Sequence, residues 1–171
     1  MKNIILIGFM GVGKGTVARA FAKKYDYYAI DTDDLIESLE NRKIKKIFET
    51  EGEPYFRELE KKTAHWLAEN VQNAIISTGG GFFRQEKLHE TGTVVLLDSS
   101  FEAILKRIVE HPNAKNKLAK RPLFSTPEKA KAIYEEREKA YKEVADIIIN
   151  VENRSPEEVS AEIYEKMQER R

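Results

Sequence analysis

Residues 3–16 read NIILIGFMGVGKGT, a short apolar run followed directly by a glycine-rich loop. Within this stretch, Gly8 to Lys14 match the spacing G-x-x-x-x-G-K, between a predicted strand and a predicted helix. Glycines let successive backbone N–H groups turn inward around phosphate oxygens, and the N-terminal end of the following helix favours the same negative charge. Lys14 adds a positive charge for the outer phosphates. The stretch therefore predicts a loop that binds a nucleoside triphosphate.

Short apolar runs alternate with helical patterns along the rest of the chain. Four further strands are predicted, at 27–31, 73–78, 92–98 and 146–152. Helices are predicted between and after them, at 14–25, 32–43, 44–52, 53–70, 100–111, 128–145 and 155–170. This alternation indicates a parallel sheet covered by helices on both faces, with its ligands at the carboxyl ends of the strands.

Three local signals within this pattern concern loops and helix starts. Residues 112–127 carry no hydrophobic period and several basic residues, and we expect a mobile loop there. Thr32 or Asp33 is the expected N-cap of the helix that follows the second strand. Ser155, with Pro156 at the first helical position, is the expected cap of the last helix.

The composition bounds the function classes. The 171 residues fit a single domain, and 29 Lys plus Arg balance 29 Asp plus Glu. A neutral chain argues against a general nucleic-acid or membrane-surface binder, and the absence of cysteine excludes disulfides and thiolate metal sites. The apolar N-terminal run is too short to span a membrane and lacks a small-residue cleavage site, so we expect a cytoplasmic protein.

The glycine loop departs from the usual pattern at Gly15, where a Ser or Thr hydroxyl normally binds Mg²⁺. The neighbouring Thr16 points about 100° away around the helix. Magnesium takes few protein ligands and keeps several waters, so phosphates, waters and Asp31 could hold it. In the DTDD run, Asp31 and Asp33 could share one face, one serving the metal and one an acceptor hydroxyl. The alternative interpretation is an acidic cluster at a helix N-terminus.

Other candidate residues lie further along the chain. Three consecutive glycines, at 79–81, end the third predicted strand and would let a ligand approach backbone N–H groups. Arg57, with Glu60 one turn away, and Arg137 could together bind a carboxylate, although by pattern alone each arginine is typical of a solvated surface. Arg121 could neutralise charge from a closing lid, or could be a plain loop charge.

Taken together, these motifs resemble those of the shikimate kinase family. The matching stretches are LIGFMGVGKG, DTDDLIE, IFETEGEPYFRELE, STGGGF, GTVVLLD, KRPLF and YEEREKAYKEVAD, in order and over nearly the whole chain. The resemblance implies an α/β P-loop three-layer sandwich with a five-stranded parallel sheet in the order 2-3-1-4-5. It also implies one kinase domain over 1–171, with a substrate-binding helical region at about 32–62 and a mobile lid at about 111–125.

The activity that the resemblance implies is transfer of the γ-phosphoryl of ATP to the 3-hydroxyl of shikimate, with Mg²⁺. Asp33 would bind the acceptor hydroxyls and act as base or orienting group. Arg57 and Arg137 would hold the shikimate carboxylate, with Glu60 bracing Arg57. The other acceptor-side residues implied are the backbone at Gly79, Gly80 and Gly81 and the apolar wall of Phe48 and Phe56.

On the nucleotide side, the resemblance implies that Lys14 bridges the phosphates and that Arg121 approaches the transferred group from the lid. Arg107 would stack on adenine, with Arg154 and Pro156 on its other side. The residues that would wrap the phosphates are Gly11, Val12, Gly13, Lys14, Gly15 and Thr16. Asp31 would hold magnesium through water.

The expected partners are ATP and shikimate, without nucleic acid or membrane, and we expect a monomer. The G-K-G-T of Gly15 instead resembles the loop of adenylate kinases, but the chain lacks the D-G-[FY]-P-R run that an AMP site would require. Two alternatives stay open. One is a related kinase that takes gluconate or a nucleoside monophosphate as acceptor, and the other is a nucleotide-binding module without catalysis.

Overall fold

A five-stranded parallel sheet forms the centre of the molecule. The structure, a computed structural model, describes residues 2–119 and 126–170. The strands are β1 (Asn3–Ile7), β2 (Tyr28–Asp31), β3 (Ala74–Ser77), β4 (Gly92–Asp98) and β5 (Ile147–Asn150). Their order across the sheet is β2-β3-β1-β4-β5, and every neighbouring pair is parallel. This confirms the predicted sheet and its strand order.

Helices cover both faces of this sheet, as the complete burial of β1 and β3 requires. They are α1 (Lys14–Lys24), α2 (Thr32–Glu40), α3 (Ile44–Glu51), α4 (Glu53–Asn70), α5 (Leu88–Thr91), α6 (Phe101–Val109), α7 (Ala114–Ala119), α8 (Pro127–Val144) and α9 (Pro156–Glu169). A single 3₁₀ turn follows β3, at Phe82–Arg84. Within residues 2–119 and 126–170, no helix is long and apolar enough to cross a membrane.

The helix starts confirm one predicted cap and correct another. Ser155 caps α9 in a full capping box, in which its hydroxyl accepts from the Glu158 N–H and the Glu158 carboxylate accepts from the Ser155 N–H. The N-cap of α2 is neither Thr32 nor Asp33 but Asp31, whose carboxylate accepts from two backbone N–H groups of the first turn. Because β2 runs into α2 without a loop, the last strand residue takes the capping position.

The segment predicted as a mobile loop, 112–127, is partly helical, because α7 lies within it. Its sequence, AKNKLA, contains good helix formers but is too short to show a hydrophobic period. The short helix α5 and the 3₁₀ turn after β3 are also absent from the sequence-based prediction. The whole KRPLF motif at 120–124, including Arg121, lies outside the described residues.

The apolar interior consists of two separate clusters. The larger one fills both sides of the sheet and includes all of β1 except Asn3. The smaller one lies among α2, α3 and α4 and consists of Ile36, Ile44, Ile47, Phe56 and Leu59, with Phe48 packed against it. Helices α2–α4 therefore have a small core of their own beside the sheet.

Candidate active site at the carboxyl ends of the strands

Two adjoining cavities open where the strands end. The inner cavity, of about 270 Å³, is lined by the glycine loop, Asp31, Asp33 and residues 77–80. The outer cavity, of about 290 Å³, is lined by residues of α6, by 151–154 and by the start of α9. Gly13 and Arg107 line both cavities. One extended ligand can therefore reach from the outer cavity across the loop into the inner one.

The glycine loop turns tightly because several of its residues have positive φ angles. At Gly13, φ is +107°, and a side-chain carbon there would lie 2.9 Å from Nη2 of Arg107. Any other residue would be strained and would displace the guanidinium. The buried Lys14 ammonium donates to the carbonyls of Gly8, at 2.6 Å, and Phe9, at 3.1 Å. The loop thus holds the lysine ammonium group at the concave surface where phosphates would bind.

Two aspartates lie between the loop and the third strand. Asp31 Oδ1 accepts from the backbone N–H groups of Asp33, at 2.9 Å, and Asp34, at 3.3 Å. Asp33 Oδ1 is shielded from solvent and has no hydrogen-bond partner among the described residues. Burial, together with the carboxylates of Asp31 and Glu60, raises the pKa of Asp33 to about 7, against the opposing effect of Lys14. Asp33 can therefore exchange a proton near neutral pH.

The triple glycine at 79–81 is the point where three charged side chains meet. A side-chain carbon at Gly79 would lie 3.0 Å from Asp33 Oδ1. One at Gly80 would lie 3.1 Å from Arg137 Nη1, and one at Gly81 would lie 2.5 Å from Arg57 Nη1. Only residues without side chains leave room for these groups to converge. The turn therefore brings a carboxylate and two guanidinium groups around exposed backbone, as a small anionic polyol would require.

The two arginines come from different helices. Arg57, on α4, forms ion pairs with Glu60, at 2.7 Å, and Glu53, at 2.9 Å. Arg137, on α8, is 4% exposed, and its Nε has no hydrogen-bond partner among the described residues. Burial raises the pKa of Glu60, while Arg57 and Arg137 act in the opposite direction. The interpretation of Arg137 as a solvated surface charge is therefore wrong, and Arg57 is only partly exposed.

Three residues that support the glycine turn were not predicted as site residues from the sequence, where Thr32 was considered only as a helix cap. The buried Thr32 hydroxyl accepts from the Gly79 N–H at 3.1 Å, and the Thr78 hydroxyl donates to the Leu6 carbonyl at 2.8 Å. Tyr141 donates to the Gly80 carbonyl at 2.5 Å. Only Tyr141 leaves a signal in the sequence, since it follows Arg137 by four residues and so shares its helix face.

The outer cavity brings together the residues expected around a nucleotide base. Arg107 reaches from α6 to the glycine loop, and Arg154 and Pro156 line the same cavity. Arg154 is held by Glu162, at 2.5 Å, and by the carbonyl of Asn150, at 2.9 Å. The cavity therefore has the cationic and apolar lining that an aromatic base and its phosphates would use.

The remaining acceptor-side candidates, Phe48 and Phe56, belong to the small cluster of α2–α4. Their ring centroids lie 4.8 Å apart, and the Arg57 guanidinium lies 5.4 Å from the Phe56 ring. This places an apolar surface directly beside the arginine.

Thr16 lines the inner cavity despite its position one residue beyond Gly15.

The inner cavity fits a magnesium ion held mainly by phosphates and water. Over the described residues there is no group of three or more His, Cys, Asp or Glu side chains that could hold a metal. The oxygen donors present are those of Asp31, Asp33 and Thr16, all lining the same cavity. Hard oxygen donors in small number are what Mg²⁺ takes when it binds with a nucleotide.

Comparison with known proteins identifies the family. The family model described as shikimate kinase matches residues 10–168. Shikimate kinase of Helicobacter hepaticus is 44% identical over 88% of this chain and 87% of its own, and that of a Sulfurihydrogenibium species is 40% identical over 99% and 100%. Among solved structures, shikimate kinase from Acinetobacter baumannii in complex with shikimate has a TM-score of 0.89 and 30% identity, covering 100% of this chain and 95% of that one. The enzyme from Aquifex aeolicus has a TM-score of 0.79 and 36% identity, covering 97% and 96%.

Proposed function

The chain belongs to the shikimate kinase family, and from that membership we propose that it transfers the γ-phosphoryl group of ATP to the 3-hydroxyl of shikimate. The products are shikimate 3-phosphate and ADP. The observation that carries the proposal is the meeting of Asp33, Arg57 and Arg137 at the glycine turn beside the phosphate-binding loop.

Shikimate carries a carboxylate and three hydroxyl groups, and the two ends of the acceptor site match them. Arg57 and Arg137 offer a pair of guanidinium groups for the carboxylate, and Glu60 holds Arg57 in place. The partnerless Nε of Arg137 and Oδ1 of Asp33 are buried groups that a polar ligand would satisfy. The backbone of 79–81 and the rings of Phe48 and Phe56 would line the rest.

In the reaction, the 3-oxygen of shikimate forms a bond to the γ-phosphorus while the bond to the β,γ-bridging oxygen breaks and ADP leaves. Asp33, in its ionised form, orients the hydroxyl and accepts its proton. Lys14 moves from its loop carbonyls to the phosphates and stabilises the charge on the transferred group. Mg²⁺, held through Asp31, water and the phosphates, would neutralise phosphate charge. Neutralisation of phosphate charge by Arg121 stays a prediction.

Other features of the proposal concern the surroundings of the site. The separate core of α2–α4 supports an acceptor-binding helical region at about 32–62. The lid at about 111–125, the monomeric state and the cytoplasmic location stay predictions. Gluconate and nucleoside monophosphates are less favoured acceptors because the relatives and the family model all name shikimate kinase.

The test is ADP release from ATP with shikimate, gluconate or AMP as acceptor, across a magnesium titration. We expect release that depends on shikimate and needs more magnesium than a loop with a Ser or Thr at position 15. Release that depends on gluconate or AMP instead would reassign the acceptor. Nucleotide binding without acceptor-dependent release would leave only a binding module.

A further inference from the structure

Arg19 lies on α1 one turn after Gly15 and lines the inner cavity. A side-chain carbon at Gly15 would lie 3.3 Å from Arg19 Nη1 and 3.9 Å from Nη2. The guanidinium therefore packs against the bare backbone of Gly15, on the side where a Ser or Thr side chain would project.

The guanidinium of Arg19 has no counter-charge of its own. It forms no ion pair or side-chain hydrogen bond with any residue in the described parts of the chain, although Asp31 and Asp33 line the same cavity. By contrast, Arg57, Arg137 and Arg154 all lie beside carboxylates. A cation that lines a phosphate-sized cavity without a partner offers its hydrogen bonds to an anionic ligand.

Gly15 has no hydroxyl, so the loop lacks one metal ligand at this point. The positive charge that a loop-bound metal would place beside the phosphates must then come from another group. An arginine fork can donate two hydrogen bonds to phosphate oxygens and is always charged. On the basis of the proposed function, we propose that Arg19 binds phosphate oxygens of the nucleotide at the Gly15 side of the inner cavity. It is thus a further phosphate-binding residue that lowers the dependence of nucleotide binding on magnesium.

A competing explanation is that Arg19 weakens magnesium binding instead of binding phosphate. If Arg19 only projects its charge toward the metal position, it repels magnesium, and its removal would strengthen metal-dependent nucleotide binding. The two ideas differ in what happens when metal is absent, because repulsion of magnesium has no effect in a chelating buffer.

The deciding measurement is calorimetric binding of ADP and of a non-hydrolysable ATP analogue, with EDTA and with magnesium. In EDTA, Arg19→Gln should weaken the affinity for at least one of the two nucleotides by about tenfold or more, the effect of losing a hydrogen bond to a charged group. Lys23→Gln removes the same charge from an exposed position on the same helix and should change the affinity less than about twofold.

A second pair of variants tests the link to Gly15. Gly15→Ser supplies the missing hydroxyl and should lower the magnesium concentration that half-saturates ADP release, whereas Arg19→Gln should raise it. In the double variant, the added hydroxyl should recover part of the loss. Arg19 is exposed, so its substitution leaves the core intact.

Unchanged affinity of Arg19→Gln for both nucleotides in EDTA would overturn the inference, and so would a lowered magnesium requirement. In either case the proposed kinase activity would be unaffected, provided that the parent protein still shows shikimate-dependent ADP release. If the parent protein binds neither nucleotide, the proposed function itself fails.

Discussion

The glycine loop and the proposed acceptor site lie side by side but are built in opposite ways. The loop is one continuous segment, and its lysine is satisfied by carbonyls only five and six residues away. The acceptor site takes its charges from α2, α4 and α8, which are distant in sequence, and leaves buried polar atoms of Asp33, Glu60 and Arg137 without partners among the described residues. Phosphate binding is therefore a local property of the chain, whereas acceptor binding depends on the whole fold.

This difference has an energetic consequence. A buried polar group without a partner costs about 1–3 kcal/mol, and more when it is charged. The acceptor site carries this cost until a ligand satisfies it, while the loop carries little. Substitutions in the acceptor site should therefore change acceptor kinetics strongly and nucleotide binding little, and some of them should stabilise the unliganded protein.

The largest expected effect is that of Asp33→Asn. The amide keeps the size of the side chain but cannot accept the hydroxyl proton, so we expect kcat to fall by about 10³-fold. The affinity for ADP should stay within about twofold, because the loop is intact. The measurements are steady-state ADP release and calorimetric binding. Asp34→Asn, at the exposed neighbouring position, is the matched control and should retain normal turnover.

If Asp33→Asn turned over normally, the assignment of this residue would be wrong. A large loss of ADP affinity in the same variant would contradict the separation between the two regions.

The next effect in size is that of Arg137→Gln. Loss of a charge-assisted hydrogen bond to the shikimate carboxylate should raise the KM for shikimate by about 10–100-fold, with a much smaller change in the KM for ATP. Lys139→Gln removes a charge from an exposed position of the same helix and should leave both constants unchanged. Equal changes in the two KM values for Arg137→Gln would mean that this arginine shapes the fold rather than the acceptor site.

A third test uses the pKa of Asp33, which is raised to about 7. Because the ionised form is the active one, kcat/KM for shikimate should fall about tenfold per unit as the pH decreases below 7. The free energy of unfolding should change with pH in the opposite direction to kcat/KM. The folded state holds a proton on Asp33 that the unfolded state loses above pH 3.8, so stability falls as the pH rises from about 4 to about 7.

Asp33→Asn separates this effect from other titrations. Its melting temperature should exceed that of the parent protein above pH 7, since it removes a buried carboxylate with raised pKa. A lower melting temperature at that pH would show instead that the ionised carboxylate stabilises the fold. The claim that the acceptor site lowers the stability of the unliganded protein would then be wrong for Asp33.

The same contrast explains what the sequence could predict. The loop followed from seven residues, Gly8 to Lys14, because local spacing determines where its N–H groups point. The sheet order followed from the resemblance to a family. By pattern alone, Arg57 and Arg137 are typical of surface charges in their own helices. Their pairing around a carboxylate followed from the resemblance, and the structure adds that both guanidinium groups approach the turn at 79–81. Thr32 was predicted only as a helix cap and Thr78 was not predicted at all, since a buried threonine in a strand–helix junction is common in any α/β protein.

The smallest test uses two tyrosines on one face of α8, each of which supports one region. Tyr141 donates to the Gly80 carbonyl at 2.5 Å, and Tyr134 donates to the Ser99 carbonyl, in the wall of the outer cavity, at 2.7 Å. Replacement of either by Phe removes one hydrogen bond of similar kind, which costs about 0.5–1.5 kcal/mol. We expect similar losses of stability, measured by urea unfolding.

The kinetic effects of the two variants should differ. Tyr141→Phe should raise the KM for shikimate by about two- to tenfold, the equivalent of that energy, because the Gly80 peptide loses its fixed orientation. Tyr134→Phe should leave this KM unchanged and act, if at all, on the KM for ATP. Because each variant serves as the control for the other, equal effects on both substrates would show that α8 couples the two regions, and the separation drawn between them would fail.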